Sequence, residues 1–265
     1  MTDVIPQMKR NTLVPWFGAN IANADVPALL LDDCDFVVVG FAGGMSEIPF
    51  FRDSVQLLVN DKHCNLINLA RVIADESKLS ILADRLENKL FHPKELEEAL
   101  EVLATARRIR PEAGGLFGRS VPSGIAALLQ GQDDISLAEA YFVTSWMGRA
   151  AVAGTRGEDS IALSTRYGAG GGCSVKRFRS AYESLHAWHR SLKRCSFITN
   201  DIFDVLDRMR AKLMDPGFDG KKRGNRTGGY FDPPWMKDGD RYVHQFSDAH
   251  HVRLARELCE MPQMH

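Results

Sequence analysis

Phe36-Val37-Val38-Val39-Gly40-Phe41-Ala42-Gly43-Gly44 opens as a β-branched run and stops on glycine. A short apolar run without polar alternation predicts a strand buried on both faces, as in a parallel sheet, followed by a tight turn. Glycines in such a turn let the backbone approach a ligand closely. Outward from it lie two runs of the same kind, Gln56-Leu-Leu-Val-Asn-Asp61 and Cys195-Ser-Phe-Ile-Thr-Asn-Asp201. A fourth and shorter one, Gly229-Tyr-Phe-Asp232, is stopped by Pro233 and Pro234. Three of the four end on an aspartate at the carboxyl edge, where open α/β sheets bind their ligands.

Between the second and third strands the pattern is helical. Leu96, Leu100 and Leu103 recur at helical spacing among glutamates, and Phe178, Tyr182, Leu185, Trp188 and Leu192 form a second stripe read as core. Two loops rich in charge and glycine, 107–119 and 149–179, lie between these helices. The stretch 85–177 therefore reads as an inserted helical subdomain, with 1–84 and 178–265 forming the main domain around it. Residues 208–227 hold seven basic residues against two acids, Lys221, Lys222 and Arg223 among them. A charge run alone is usually a solvated loop, but its place just before a proline-bound strand end suits contacts to phosphate.

With 265 residues, 45% of them apolar and 25% charged, the chain can bury a sizeable core. The net charge of −1 gives no global sign of nucleic-acid binding, so any basic surface must be local. Cys34, Cys64, Cys173, Cys195 and Cys259 lack the paired spacing of a zinc site, and their odd number fits free thiols in a reducing compartment. The first residues lack the apolar core of a signal peptide, and no apolar run reaches the length of a membrane span. A cytoplasmic protein without a metal centre is expected.

Asp232-Pro233-Pro234-Trp235 is the strongest local signal. Two prolines fix the backbone and remove two N–H donors, leaving the Asp232 carboxylate and the Pro233 carbonyl as acceptors. An exocyclic amino group can donate both hydrogens to such a pair, which frees its lone pair for attack. Trp235 would stack on the base that carries the amine. Taken alone, a proline turn before a core tryptophan is the simpler account. Asp61, one strand after Phe41-Ala42-Gly43-Gly44, has the placement of an acid that accepts ribose hydroxyls; its plain alternative is a turn-opening surface aspartate. Val14-Pro15-Trp16-Phe17-Gly18 offers an aromatic pair for a sulfonium or an adenine, or merely a loop with buried aromatics.

The order VPWFGAN, FAGG, VND, a helical stretch, TND and FDPPW resembles the Dam-type adenine-specific DNA methyltransferases over nearly the whole chain. Ala140–Trp146, the glycine-basic loop Tyr167–Arg179 and Phe246–His251 look similar as well. The resemblance implies a Rossmann-like α/β methyltransferase sheet that binds S-adenosylmethionine, with 85–177 as target-recognition subdomain and double-stranded DNA as partner. It implies that Trp16, Asn20, the turn Phe41-Ala42-Gly43-Gly44 and Asp61 bind the cofactor. Asp201 would lie near the cofactor's adenine, and Asp232 would touch both cofactor and target amine, with Pro233, Pro234 and Trp235 completing the catalytic loop. Asn20 stands where the family usually has lysine, and Val39 where it usually has an acid. The family continues through further strands after a helix like the one expected at 248–259. The strand ending at Asp232 is accordingly expected at an exposed sheet edge, open to self-association and with activity low. Other outcomes left open are a non-catalytic DNA-binding remnant and methylation of an RNA base or a glutamine.

Overall fold

The structure, a computed structural model, describes residues 11–109, 134–149, 153–157, 161–165, 173–215, 217, 226–237, 241–261 and 264. Four parallel strands, β1 (Phe36–Val39), β2 (Gln56–Asn60), β3 (Cys195–Ile198) and β4 (Thr227–Tyr230), form one sheet in the order β3-β2-β1-β4. All four lie where the apolar runs place them. β4 begins two residues earlier than expected and ends before Asp232, because Phe231 leaves the ladder and two prolines follow. Parallel pairing puts all four carboxyl ends on one edge. The chain order reverses between β1 and β4, so a crevice opens there between the loops that follow them.

Side chains alternate across the sheet, as strand geometry requires. Val37, Val39, Leu57 and Val59 point into one core, while Val38 points into a second. The first is roofed by α2 (Cys64–Ala74), α3 (Glu76–Glu87), α4 (Pro93–Ile109), α5 (Asp134–Met147), α6 (Ser174–Glu183) and α7 (Leu185–Leu192). The second is covered by α8 (Ile202–Leu213) and α9 (Asp248–Cys259). A short helix, α1 (Val26–Leu30), precedes β1. The result is an α/β sheet with helices on both faces.

Two expectations change. The stripe from Phe178 to Leu192 is two helices, broken at Ser184. The Ser184 hydroxyl bonds the Ala181 carbonyl at 2.7 Å and its N–H reaches the same oxygen at 3.2 Å, a tight turn that competes with the α-helical ladder. Phe178, Leu185, Trp188 and Leu192 are core as expected. The described helices of 85–177 also have no core of their own. α5 is buried all round, packs on α2 and α4, and its Tyr141, Phe142 and Trp146 join the cluster that contains Val37 and Leu57. The Trp146 indole donates to the Leu13 carbonyl at 3.1 Å, tying α5 to the N-terminal segment. Residues 110–133 and most of the two charged loops, with the glycines 168–172, lie outside the described residues, as do Lys221, Lys222 and Arg223.

β4 is an edge of the described sheet, flanked by β1 on one side. Met264 forms an isolated parallel bridge to Thr227, and Thr227 and Gly228 are buried, so part of that edge is covered. Among the described residues no helix is long and apolar enough to cross a membrane.

α9 occupies the span its sequence suggests and starts with a capping box. The Ser247 hydroxyl accepts the His250 N–H at 3.3 Å, and the His250 ring accepts the Ser247 N–H at 3.2 Å. Ser247→Ala should cost about 1 kcal/mol in chemical denaturation. A loss of nothing would mean that packing of Leu254 alone holds the helix start.

Candidate active site

The four carboxyl-end loops, together with the segment 16–20, enclose a single cavity. All twelve residues singled out from the sequence line it: Trp16, Asn20, Phe41, Ala42, Gly43, Gly44, Asp61, Asp201, Asp232, Pro233, Pro234 and Trp235. They come from far-separated parts of the chain, brought together by the strand order and by packing of the segment 12–16 on the turn after β1.

The turn after β1 is shaped by its glycines. Gly43 has φ +46°, where an L side chain is strained, and a Cβ there would meet the Trp16 ring nitrogen at 3.0 Å. At Gly44 a Cβ would strike the Thr12 hydroxyl at 2.2 Å. The close approach is thus first to the segment 12–16, whose Leu13 N–H and Thr12 hydroxyl both bond the Gly44 carbonyl, at 2.8 and 3.0 Å. That packing sets the Trp16 indole in the wall, edge-on to the His63 ring at 5.6 Å.

Asp61 is not a surface turn residue: it is 9% exposed. One carboxylate oxygen accepts the Gly43 N–H at 2.9 Å and the other the His63 N–H at 2.8 Å. It therefore ties the β1 turn to the start of α2 while it lines the cavity. Asn60, unremarked in the sequence, is the companion brace. Its side-chain amide donates to the Gly40 carbonyl at 3.0 Å and accepts the Asn200 N–H at 3.0 Å, linking the ends of β1, β2 and β3.

Asp201 caps α8 by accepting the Phe203 N–H at 3.1 Å, and it pairs with Lys62 at 2.7 Å across the cavity wall. Partial burial pushes its carboxyl up, but the Lys62 ammonium and the Phe203 N–H outweigh that and hold it below the usual range. Beside it, Phe41, Phe203, Phe246 and His250 pack ring to ring, with Phe203 and Phe246 stacked at 6.1 Å, and make one end of the cavity aromatic.

Asp232 is exposed on the cavity wall. Surrounding protein still displaces part of its hydration, which raises its carboxyl above the usual range; the Tyr230 hydroxyl, donating at 3.4 Å, pulls the other way. Trp235 is 58% exposed, so the core-tryptophan account fails and an indole face is free at the rim. Asn20 is exposed and accepts from Asn23 at 3.2 Å. Val39 is wholly buried in the sheet core and brings no charge to the site. Two polar residues that sequence reasoning passed over, Ser46 and Glu47, also line the cavity. Nothing in the local pattern marks them, since a serine and a glutamate after a turn are ordinary surface residues. Among the described residues no cluster of histidine, cysteine, aspartate or glutamate could hold a metal ion.

No family model matches this chain, and no curated protein is significantly similar to it. The cavity itself is an acidic and aromatic site at the switch point of a parallel sheet, with the Asp232-Pro233-Pro234-Trp235 loop at its mouth.

Proposed function

We propose that this protein is an S-adenosylmethionine-dependent methyltransferase acting on the N6 amino group of adenine in DNA. The observation that supports this best is that the turn after β1, Asp61 and the Asp232-Pro233-Pro234-Trp235 loop line one cavity. The residues also suit the cofactor's chemistry. Glu47, Asp61 and Asp232 are acids without an ion pair among the described residues, and a sulfonium with an ammonium supplies the positive charge they lack. The aromatic end suits an adenine ring, and buried Asp61 suits ribose hydroxyls.

When bound, S-adenosylmethionine supplies an electrophilic methyl group carried on positively charged sulfur. The protein's part is to hold and polarise the acceptor. The Asp232 carboxylate and the Pro233 carbonyl accept the two amine hydrogens, which raises electron density on the nitrogen. The exposed Trp235 face holds the base by stacking. The Lys62–Asp201 pair and the Asp61 bonds fix the walls before any ligand arrives, so little order has to be created on binding. The test is direct: the purified chain, methyl-labelled S-adenosylmethionine and duplex DNA should yield labelled N6-methyladenine after digestion to nucleosides. No label in any nucleoside, together with no binding of S-adenosylhomocysteine, overturns the proposal. Label in RNA or protein alone would redirect it to another planar amine.

Asp61→Ala should weaken S-adenosylhomocysteine binding by the equivalent of about 2–3 kcal/mol, since it removes a charged acceptor. It should also lower stability, because the Gly43 and His63 N–H groups lose their acceptor. Asp61→Asn keeps one acceptor oxygen and therefore one of the two N–H bonds, and should lie between wild type and Asp61→Ala in both readouts. An unchanged dissociation constant in both variants would leave Asp61 as a brace only.

A further inference from the structure

Ser46 and Glu47 follow the glycine turn at its strained point. Met45 between them and Gly44 is fully buried with φ +57°, a left-handed conformation rare for a residue with a side chain. Beyond it the chain places Ser46 and Glu47 in the cavity wall, at 3% and 7% exposure. The Ser46 hydroxyl and one Glu47 carboxyl oxygen are buried there without any hydrogen-bond partner. Buried polar groups nearly always find partners, so two adjacent orphans in the wall of one cavity mark a place built for a ligand's donors.

The surroundings specify the sign of that ligand's charge. Glu47 faces Asp61 from the loop after β2, and both Tyr230 and Asp232 from β4 and the loop after it. Lys62, the lysine in the cavity wall, is committed to Asp201 at 2.7 Å. Of the imidazoles in the wall, His63 accepts the Leu66 N–H, His250 accepts the Ser247 N–H, and His244 packs edge-on to His63 at 6.3 Å. Burial above all pushes the Glu47 carboxyl up to about 8; its own backbone N–H works against this, and the charges of Asp232 and Asp61 add to it. Near neutral pH the carboxyl keeps its proton until a cation comes beside it.

We propose that Ser46 and Glu47 are the receptor for a ligand's ammonium group, and that Glu47 releases its proton to solvent as that group binds. This rests on the cofactor reading above, whose ligand carries an ammonium on its amino-acid tail. Glu47 then forms the ion pair, and the Ser46 hydroxyl oxygen accepts a second ammonium hydrogen.

Two probes separate this subsite from the rest of the cavity. S-adenosylhomocysteine carries the ammonium; 5′-methylthioadenosine has the same nucleoside without it. Titration calorimetry of Glu47→Gln should show S-adenosylhomocysteine weakened about ten- to hundredfold, with 5′-methylthioadenosine unchanged. In buffers of different ionisation enthalpy at pH 7, the wild-type chain should release about one proton per S-adenosylhomocysteine bound, and the variant none. Equal weakening of both probes, or no weakening of either, overturns the subsite while leaving the cofactor reading standing. Failure of the wild-type chain to bind either probe removes both. Should Glu47→Gln not fold, proton release by the wild-type chain decides alone, and its absence overturns the proposal.

Discussion

Asp232→Ala should remove most, but not all, methyl transfer and leave the fold intact. The side chain is exposed in the cavity wall, and its recorded hydrogen bond is a long one, 3.4 Å from the Tyr230 hydroxyl. Removing it orphans no buried donor, and buried Glu47, which keeps its proton near neutral pH, loses no partner. Thermal unfolding should therefore be unchanged. On the proposed mechanism catalysis should suffer heavily, because one of the two acceptors that would polarise the amine is lost. Removing a single preorganised group of this kind lowers turnover by roughly a hundredfold to a thousandfold. Asp232→Asn, which keeps a carbonyl oxygen, should retain part of the rate. The pH dependence adds a signature. The acceptor works only as carboxylate, and its carboxyl is raised, so activity should fall with acidification at a pH above the ordinary carboxylate range. That limb should vanish in Asp232→Asn. Near wild-type turnover in Asp232→Ala would remove the proline loop from the mechanism.

Phe142→Ala should produce a large loss of stability. Phe142 is 1% exposed in α5, with the Phe178 ring at 5.9 Å and the Trp146 ring at 6.2 Å. Emptying such a position costs about 3–5 kcal/mol, a large part of the 5–15 kcal/mol that holds a typical domain together. Because α5 shares its core with α2 and the sheet, the whole chain should unfold in one transition, shifted as a unit. An independently folding helical subdomain would instead give two transitions, with the mutation moving one of them. Urea unfolding followed by circular dichroism and by tryptophan fluorescence distinguishes the outcomes.

Phe142 also shows where the sequence is silent. The helices of 85–177 are legible from spacing, and so is their apolar character. What they pack against is not, since periodicity describes one helix at a time. An all-round buried helix such as α5 needs neighbours on every side, and these come from α2, α4 and the N-terminal segment. The break at Ser184 was hidden for a related reason: five apolar residues in helical register fit one helix or two, and a single hydroxyl bond to Ala181 decides.

The sequence by itself determined the four strands, the aspartates beyond three of them and the span of α9, and it singled out twelve residues that prove to line one cavity. The strands, the glycine turn and the proline pair are short-range signals, whereas Asn20 was singled out only through the resemblance of the ordered motifs. Tertiary structure decided the rest. The order β3-β2-β1-β4 brought Asp61 and Asp232 to one crevice. Close packing against Trp16 and Thr12 used the glycines of the β1 turn. Asn60 became a brace across three strand ends, and Ser46 and Glu47 became buried orphans in the wall. The physical reason is common to all of these. Whether a polar side chain is solvated, braced or left waiting for a ligand depends on which elements exclude water from it, and those elements lie far away along the chain.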